Sequence, residues 1–247
     1  ECLHMLGAVS AFKAYDIRGI AGEDITTDFS RRLGRAIVEF AQATSIAVGR
    51  DIRSSGESLK AALIQGIVES GCTVVDLGIV PTGVVYRSTV DLNVDSAVAI
   101  TASHNPPEYN GFKIVHKGLP VAGEDLQRLK AIYESPDQGK ANSPGTILSM
   151  SEYHHTVIDA IVQDVGPLAR RVSVAVDSAN AVPGPFIMEL CDKLGVDLVD
   201  LNCTWDQRSP AHPADPTRPE NMIQLSDLVA NSDCEFGIGV DGDGDRI

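Results

Sequence analysis

Six short apolar runs, rich in β-branched residues and separated by stretches of helical period, constrain the fold of this chain more than any other feature. They are residues 45–49 (SIAVG), 72–77 (CTVVDL), 96–101 (SAVAIT), 172–177 (VSVAVD), 196–201 (VDLVDL) and 236–241 (FGIGVD). Runs of this length read as strands buried between two layers. Between them, residues 56–70 carry Leu59, Leu63 and Ile67 four apart and are punctuated by Gly71, and residues 185–194 repeat the pattern. Both read as helices. Strand, helix, strand in succession predicts an α/β layered fold.

The order of elements also repeats. SIAVGRD, a helix and GCTVVDLG in the first half are echoed by VSVAVDS, a helix and GVDLVDLN in the second. Each half then reaches another apolar strand that ends in a polar loop, TASHN in one and DGDGD in the other. At this coarseness any two α/β units look alike, so the repeat gains meaning only from its loops. Both loops lie at strand C-terminal ends, where open α/β sheets bind ligands. Residues 135–149 (SPDQGKANSPGTILS) are rich in Pro, Gly and Ser and read as the linker. The expected domains are therefore 1–146 and 147–247.

The apolar fraction of 43% over 247 residues suffices for one large or two ordinary cores. A net charge of −14 argues against nonspecific nucleic-acid binding, which needs a Lys/Arg surplus. An anionic substrate would need a local cationic pocket. Cys2, Cys72, Cys191, Cys203 and Cys234 are scattered, odd in number and free of C-x-x-C pairs, which fits reduced thiols of a cytoplasmic protein. No apolar run approaches bilayer length, and the first ten residues lack a basic start and apolar stretch, so neither membrane nor secretion is expected. Met5 lies four residues in, which leaves residues 1–4 as upstream translation, an expression remnant or the edge of a longer frame.

Four segments carry candidate chemistry. Residues 101–113 (TASHNPPEYNGFK) place Ser103 beside His104 at a strand end, as a presented nucleophile or as the solvent-facing Ser of an Asn-Pro-Pro turn. Residues 241–246 (DGDGDR) alternate Asp241, Asp243 and Asp245 with glycines that let the chain curl and bring three carboxylates onto a hard cation. A calcium loop of the EF-hand type is the rival, but it requires Gly where Arg246 stands and a helix where a strand is expected. A solvated acidic turn is disfavoured, because three close carboxylates repel without a cation. Residues 12–19 (FKAYDIRG) offer Arg18 as a phosphate grip or as the ion-pair partner of Asp16, and residues 49–56 (GRDIRSSG) form a loop into a helix that Ser55 is placed to cap.

In this order and spacing, KAYDIRG, GRDIRSSG, TASHNPPEYNGFK and VDGDGDR resemble the α-D-phosphohexomutases over nearly the whole chain. YNGFK and residues 212–222 (HPADPTRPENM) are similar to the phosphomannomutase/phosphoglucomutase branch, with phosphoglucosamine mutase as the alternative. The resemblance implies two similar three-layer α/β/α domains with mixed sheets, the first two of four, with the second lacking its final strand. It implies that Ser103 is the phosphorylated serine, and that Asp241, Asp243 and Asp245 hold Mg2+ together with the Ser103 phosphate. Lys113 and His104 correspond to residues of proton transfer and phosphate contact, Arg18 and Arg246 to phosphate-neutralising arginines, and Tyr15 to a neighbour of the substrate. Where the family has Gly, this chain has Ala181, so that turn is expected to differ.

The activity so implied is interconversion of hexose 1-phosphate and hexose 6-phosphate, of mannose or glucose, through a bisphosphate, with hexose 1,6-bisphosphate as activator. Lys113 would act as base, helped by cations that lower its pKa. The partners are small sugar phosphates and the C-terminal domains that complete the site. Two alternatives are an inactive phosphate- and Mg2+-binding half and a phosphatase in which water takes the phosphoryl group.

Overall fold

The computed structural model describes residues 10–136 and 141–247. Cys2, Met5 and residues 137–140 of the expected linker lie outside the described residues.

The first half builds one sheet from β1 (Ile17–Ile20), β2 (Ser45–Arg50), β3 (Thr73–Ile79), β4 (Ser96–Ile100), β5 (Tyr109–His116), β6 (Leu119–Pro120) and β7 (Ile147–Ser149). The order is β1-β5-β4-β2-β3-β7, with β6 beside β5. The β4-β2-β3-β7 portion is parallel, and β5 runs antiparallel to both β4 and β1, so the sheet is mixed. Ile46 and Val48 point to one face and Ala47 to the other, the two-residue period of a strand buried on both sides.

Four helices, α1 (Thr27–Ala41), α2 (Gly56–Glu69), α3 (Thr82–Asp91) and α4 (Gly123–Glu134), accompany this sheet. Phe29, Leu33 and Ile37 of α1, Leu63 and Ile67 of α2, and Leu126 and Leu129 of α4 cover the first face. The second face takes Val84 and Val85 of α3 with Tyr153 and Val157 of α5 (Tyr153–Val165). Three layers result.

A smaller sheet follows, made of β8 (Ser173–Asp177), β9 (Asp197–Leu201) and β10 (Phe236–Gly239) in the order β10-β8-β9. Helix α6 (Pro183–Leu194) packs Ile187 and Met188 against Val174 and Val176, while α7 (Ile223–Ala230) packs Leu225 against Ala175 on the other face. Its three described strands are all parallel, so mixed pairing is confined to the first sheet. Because β7 pairs with β3, residues 147–149 extend the first sheet and the change of sheet falls beyond position 146.

The repeat is real in three dimensions. Strand β2 sits between β3 and β4 as β8 sits between β9 and β10. Register aligns Ile46 with Ser96 and Val174 with Phe236. Five residues on from Ser96 and Phe236 lie Thr101 and Asp241, so the two polar loops leave equivalent strands at the same height.

Candidate active site

Strand β4 delivers Ser103 into the interface between the two units. Its residue is 2% exposed and its φ is +54°, a left-handed conformation uncommon for a residue with a Cβ. The Ser103 N–H donates to Thr101 Oγ1 (2.9 Å), and the Ser103 hydroxyl donates to Asp241 Oδ2 at 2.5 Å. The hydroxyl is thus turned inward to the second unit, which excludes the solvent-facing reading.

Strand β10 delivers the acidic loop. Asp241 Oδ1 accepts the backbone N–H groups of Gly244 (3.1 Å), Asp245 (3.0 Å) and Arg246 (3.1 Å), which curls the loop around that oxygen. Asp243 Oδ2 accepts from the Thr82 hydroxyl and from Lys113 Nζ, both at 2.7 Å. Asp245 Oδ2 accepts from the same ammonium at 2.5 Å. Ligand atoms of Asp241, Asp243 and Asp245 all lie within 4.8 Å of one another. The strand that precedes them removes the EF-hand reading.

Electrostatics shows what this cluster is suited to hold. Burial, and then the neighbouring Asp243, push the Asp241 carboxyl up to about 6. Burial opposes ionisation of Asp243 as well, yet the Lys113 ammonium overrides it and holds Asp243 below its ordinary value. Asp243 Oδ1 is buried with no hydrogen-bond partner among the described residues. An orphaned anionic oxygen inside a triad of hard oxygen donors fits a divalent cation, and the donor set suits magnesium.

The cationic residues divide. Lys113 does not stand among cations, as expected for a base of lowered pKa. Burial works to lower it, but Asp243 and Asp245 outweigh burial and raise it, so this lysine is held charged. Arg246 Nη1 donates to His104 Nδ1 (2.6 Å), which also lies 3.3 Å from Ser103 Oγ. Burial and Arg246 together lower the His104 pKa, which favours a neutral ring. Arg18 makes the expected ion pair with Asp16 Oδ2 (2.5 Å) and also donates to Asn105 Oδ1 on the serine loop (2.6 Å), a contact not expected from the sequence. Tyr15 is not brought in; it is 82% exposed.

Two expectations outside the loops change. Ser55 makes no capping bond to α2, because its backbone is already helical and its hydroxyl accepts from Asn110 Nδ2 (2.8 Å) instead. The turn containing Ala181 takes its left-handed residues at Ala179 and Asn180, so Ala181 needs no glycine. Thr82 was hidden from sequence reading; it opens α3, and nothing in its local pattern signals an aspartate far along the chain. Beside Ser103 a cleft of about 960 Å³ opens between loops of both sheets, lined by Arg53, Ser103 and His104 on one side and Asn180, His212 and Arg218 on the other.

These features define a class: paired α/β/α units that hold a buried serine against a cation-binding acidic loop. The chain belongs to the phosphoglucomutase/phosphomannomutase family, whose α/β/α domain I matches residues 9–140 and whose α/β/α domain II matches residues 152–247. The chain is 39% identical over 242 residues to a phosphomannomutase/phosphoglucomutase of Pseudomonas aeruginosa, covering 96% of this chain and 51% of that protein. It is 38% identical to a phosphoglucomutase of Neisseria gonorrhoeae, with 96% and 52% covered. A crystal structure of a phosphoglucomutase/phosphomannomutase family protein from Burkholderia thailandensis superposes with a TM-score of 0.90 at 36% identity, over 96% of this chain and 54% of that one. The chain spans about half the length of these relatives.

Proposed function

We propose that the protein carries the phosphoryl-transfer half of a hexose phosphate mutase that interconverts the 1- and 6-phosphates of mannose or glucose. One observation carries this reading: the buried Ser103 hydroxyl bonds Asp241 across the domain interface, beside the orphaned oxygen of Asp243. A serine so placed has a phosphoryl group's worth of cation ligands next to it.

Ser103, once phosphorylated, is the donor. The P–Oγ bond breaks as a P–O bond forms to the free sugar hydroxyl, whose proton leaves to a base, and the resulting hexose 1,6-bisphosphate returns its other phosphoryl group to Ser103. The same bisphosphate is the activator that loads the serine. Asp241, Asp243 and Asp245, with an oxygen of the Ser103 phosphate, would hold Mg2+, which when bound neutralises charge on the transferring group. Lys113 is the candidate base, and its two carboxylate partners hold it as an ammonium. It must first release a proton to solvent, which is favoured once those carboxylates are committed to a cation, before it can accept one from the sugar hydroxyl. Arg246 and Arg18 stand at the rim of the loop to meet phosphate oxygens, and His104 is positioned by Arg246 against Ser103. Sugar recognition and the grip on the nonreacting phosphate are assigned to domains beyond this chain. Burial raises the thiols of Cys72 and Cys203 to about 12 and leaves them poor nucleophiles, so neither is a candidate for the chemistry.

Incubation with Mg2+ and glucose 1,6-bisphosphate, followed by mass spectrometry, tests the reading. A single phosphoryl group on Ser103, absent from Ser103→Ala and lost or greatly slowed in Asp243→Asn, is expected. A folded chain that takes up none, or takes it up elsewhere, refutes the role given to Ser103.

A further inference from the structure

The motif GRDIRSSG plays no part in the function proposed above, yet its second arginine makes more contacts to the serine loop than any residue of the reaction scheme. Arg53 Nη2 donates to the carbonyls of Ser103 (2.8 Å) and Asn105 (2.6 Å), and Nη1 to those of Pro106 (2.6 Å) and Tyr109 (3.0 Å). Its side chain is mostly buried. The guanidinium is itself aimed by Asp51, whose Oδ2 accepts from Arg53 Nε (3.2 Å) and whose Oδ1 accepts from the Arg53 backbone N–H (2.9 Å). Asp51 is buried and fixed in turn to the end of β4, through its N–H to the Ile100 carbonyl (3.0 Å).

The loop needs such a partner. Pro106 and Pro107 lack N–H groups, and between Ala102 and Tyr109 the backbone closes on itself through only two bonds among the described residues, Asn105 N–H to Ala102 and Tyr109 N–H to Pro106. Unpaired carbonyls in a partly buried loop are costly, and a planar fork with several donors can satisfy a set of them at once. Ser103 is meanwhile held at φ +54°, a conformation that persists only where surroundings over-determine it. They do so here from two sides. Arg53 grips the Ser103 carbonyl from one, and from the other Gly242 of the acidic loop lies so close that a Cβ there would come within 2.3 Å of the same oxygen.

The geometry points to Arg53, locked by Asp51, as the positioning residue that fixes the backbone of residues 103–109 and so presents the Ser103 hydroxyl to the acidic loop. The guanidinium bonds the loop carbonyls and the Asp51 carboxylate and makes no bond to the Ser103 hydroxyl, so it governs where Ser103 sits and takes no part in the bond changes. The kinetic consequence rests on the phosphoserine role proposed above; the conformational one does not.

Arg53→Ala and Arg53→Lys, each verified as folded by far-ultraviolet circular dichroism, separate the two. With Mg2+ and glucose 1,6-bisphosphate, Arg53→Ala is expected to load Ser103 about 10²-fold more slowly, the scale of loss for a reacting group displaced by about an ångström. Free guanidinium at a non-denaturing concentration should restore part of that rate, an effect that lost global stability would not show. Arg53→Lys should recover little, because one ammonium cannot span four carbonyls. Hydrogen exchange is measured in parallel, and in Arg53→Ala it should quicken about tenfold in a peptide covering residues 101–113 while β2 and α1 keep their protection. Wild-type loading by Arg53→Ala, or unchanged exchange in that peptide, overturns the proposal. If the wild-type chain itself accepts no phosphate, the phosphoserine reading fails, and the exchange result alone still decides for or against Arg53.

Discussion

At the scale of single residues, the acidic loop carries a pH signature whose sign depends on the cation. Asp241 is raised to about 6 from an ordinary 3.8, so the folded chain without metal binds a proton more readily than the unfolded one between those values. That contribution to stability is present at low pH and is lost as pH rises through about 6. A divalent cation reverses the preference, because only the ionised carboxylate can ligate it. Added Mg2+ should therefore raise the melting temperature at pH 7.5 and lose most of its effect below pH 6, and an equal gain at pH 5 would remove Asp241 from the ligand set. The aspartates were legible in the sequence because alternation and glycines state their own geometry. The surroundings of Lys113 were not: its two carboxylate partners come from the other unit, and no local pattern tells whether a lysine meets cations or anions there.

Elements were legible where their period was local. The six apolar runs all appear as strands; β2 and β4 are buried on both faces, whereas β9 and β10 are only half-buried or exposed. The α2 pattern of Leu59, Leu63 and Ile67 is buried as its spacing requires. Strand β5 escaped because Tyr109, Asn110, Gly111 and Lys113 read as the tail of a loop, and α3 because Val84, Val85 and Thr89 have strand propensity that tertiary packing overrides. The helix pair α1 and α2 shows what packing adds. Gly66 lets the helices cross so closely that a Cβ there would fall 1.9 Å from the Arg31 carbonyl, and the crossing brings Glu69 between Arg31 and Arg35. The hydrogen bond from Arg31, against a smaller burial effect, takes Glu69 from 4.5 down to about 2. A depressed carboxylate stabilises above its unfolded value and loses that stabilisation as pH falls through the folded one. Glu69→Gln should accordingly cost roughly 1 kcal/mol at pH 7, allowing for solvent screening, and the gap to wild type should close between pH 4.5 and about 2 in urea titrations. A gap that stays constant to pH 2.5 would mean the ion pair contributes nothing.

For the whole molecule, the site is also the joint. Ser103 to Asp241, Thr82 to Asp243 and Lys113 to both Asp243 and Asp245 all run from the first unit to the second, and the Thr82 backbone N–H adds a bond to the Asp243 carbonyl (3.0 Å). The residues that would ligate a cation thus also help to dock the two domains, alongside the Arg246–His104 contact and Phe186, so stability and site geometry are coupled at the acidic loop. Thr82 is the cleanest probe, since its hydroxyl is buried and Thr82→Val keeps its shape and its backbone bond. Loss of a hydrogen bond to a charged acceptor should destabilise the chain by about 1.5–3 kcal/mol in chemical denaturation. If the bond to Asp243 is the cause, Thr82→Val and Asp243→Asn must fail to add, because each removes part of the same interaction. Strict additivity would show that Thr82 acts through α3 alone, and the polar docking of the two domains at the acidic loop would then rest on Ser103, Lys113 and the Arg246–His104 contact.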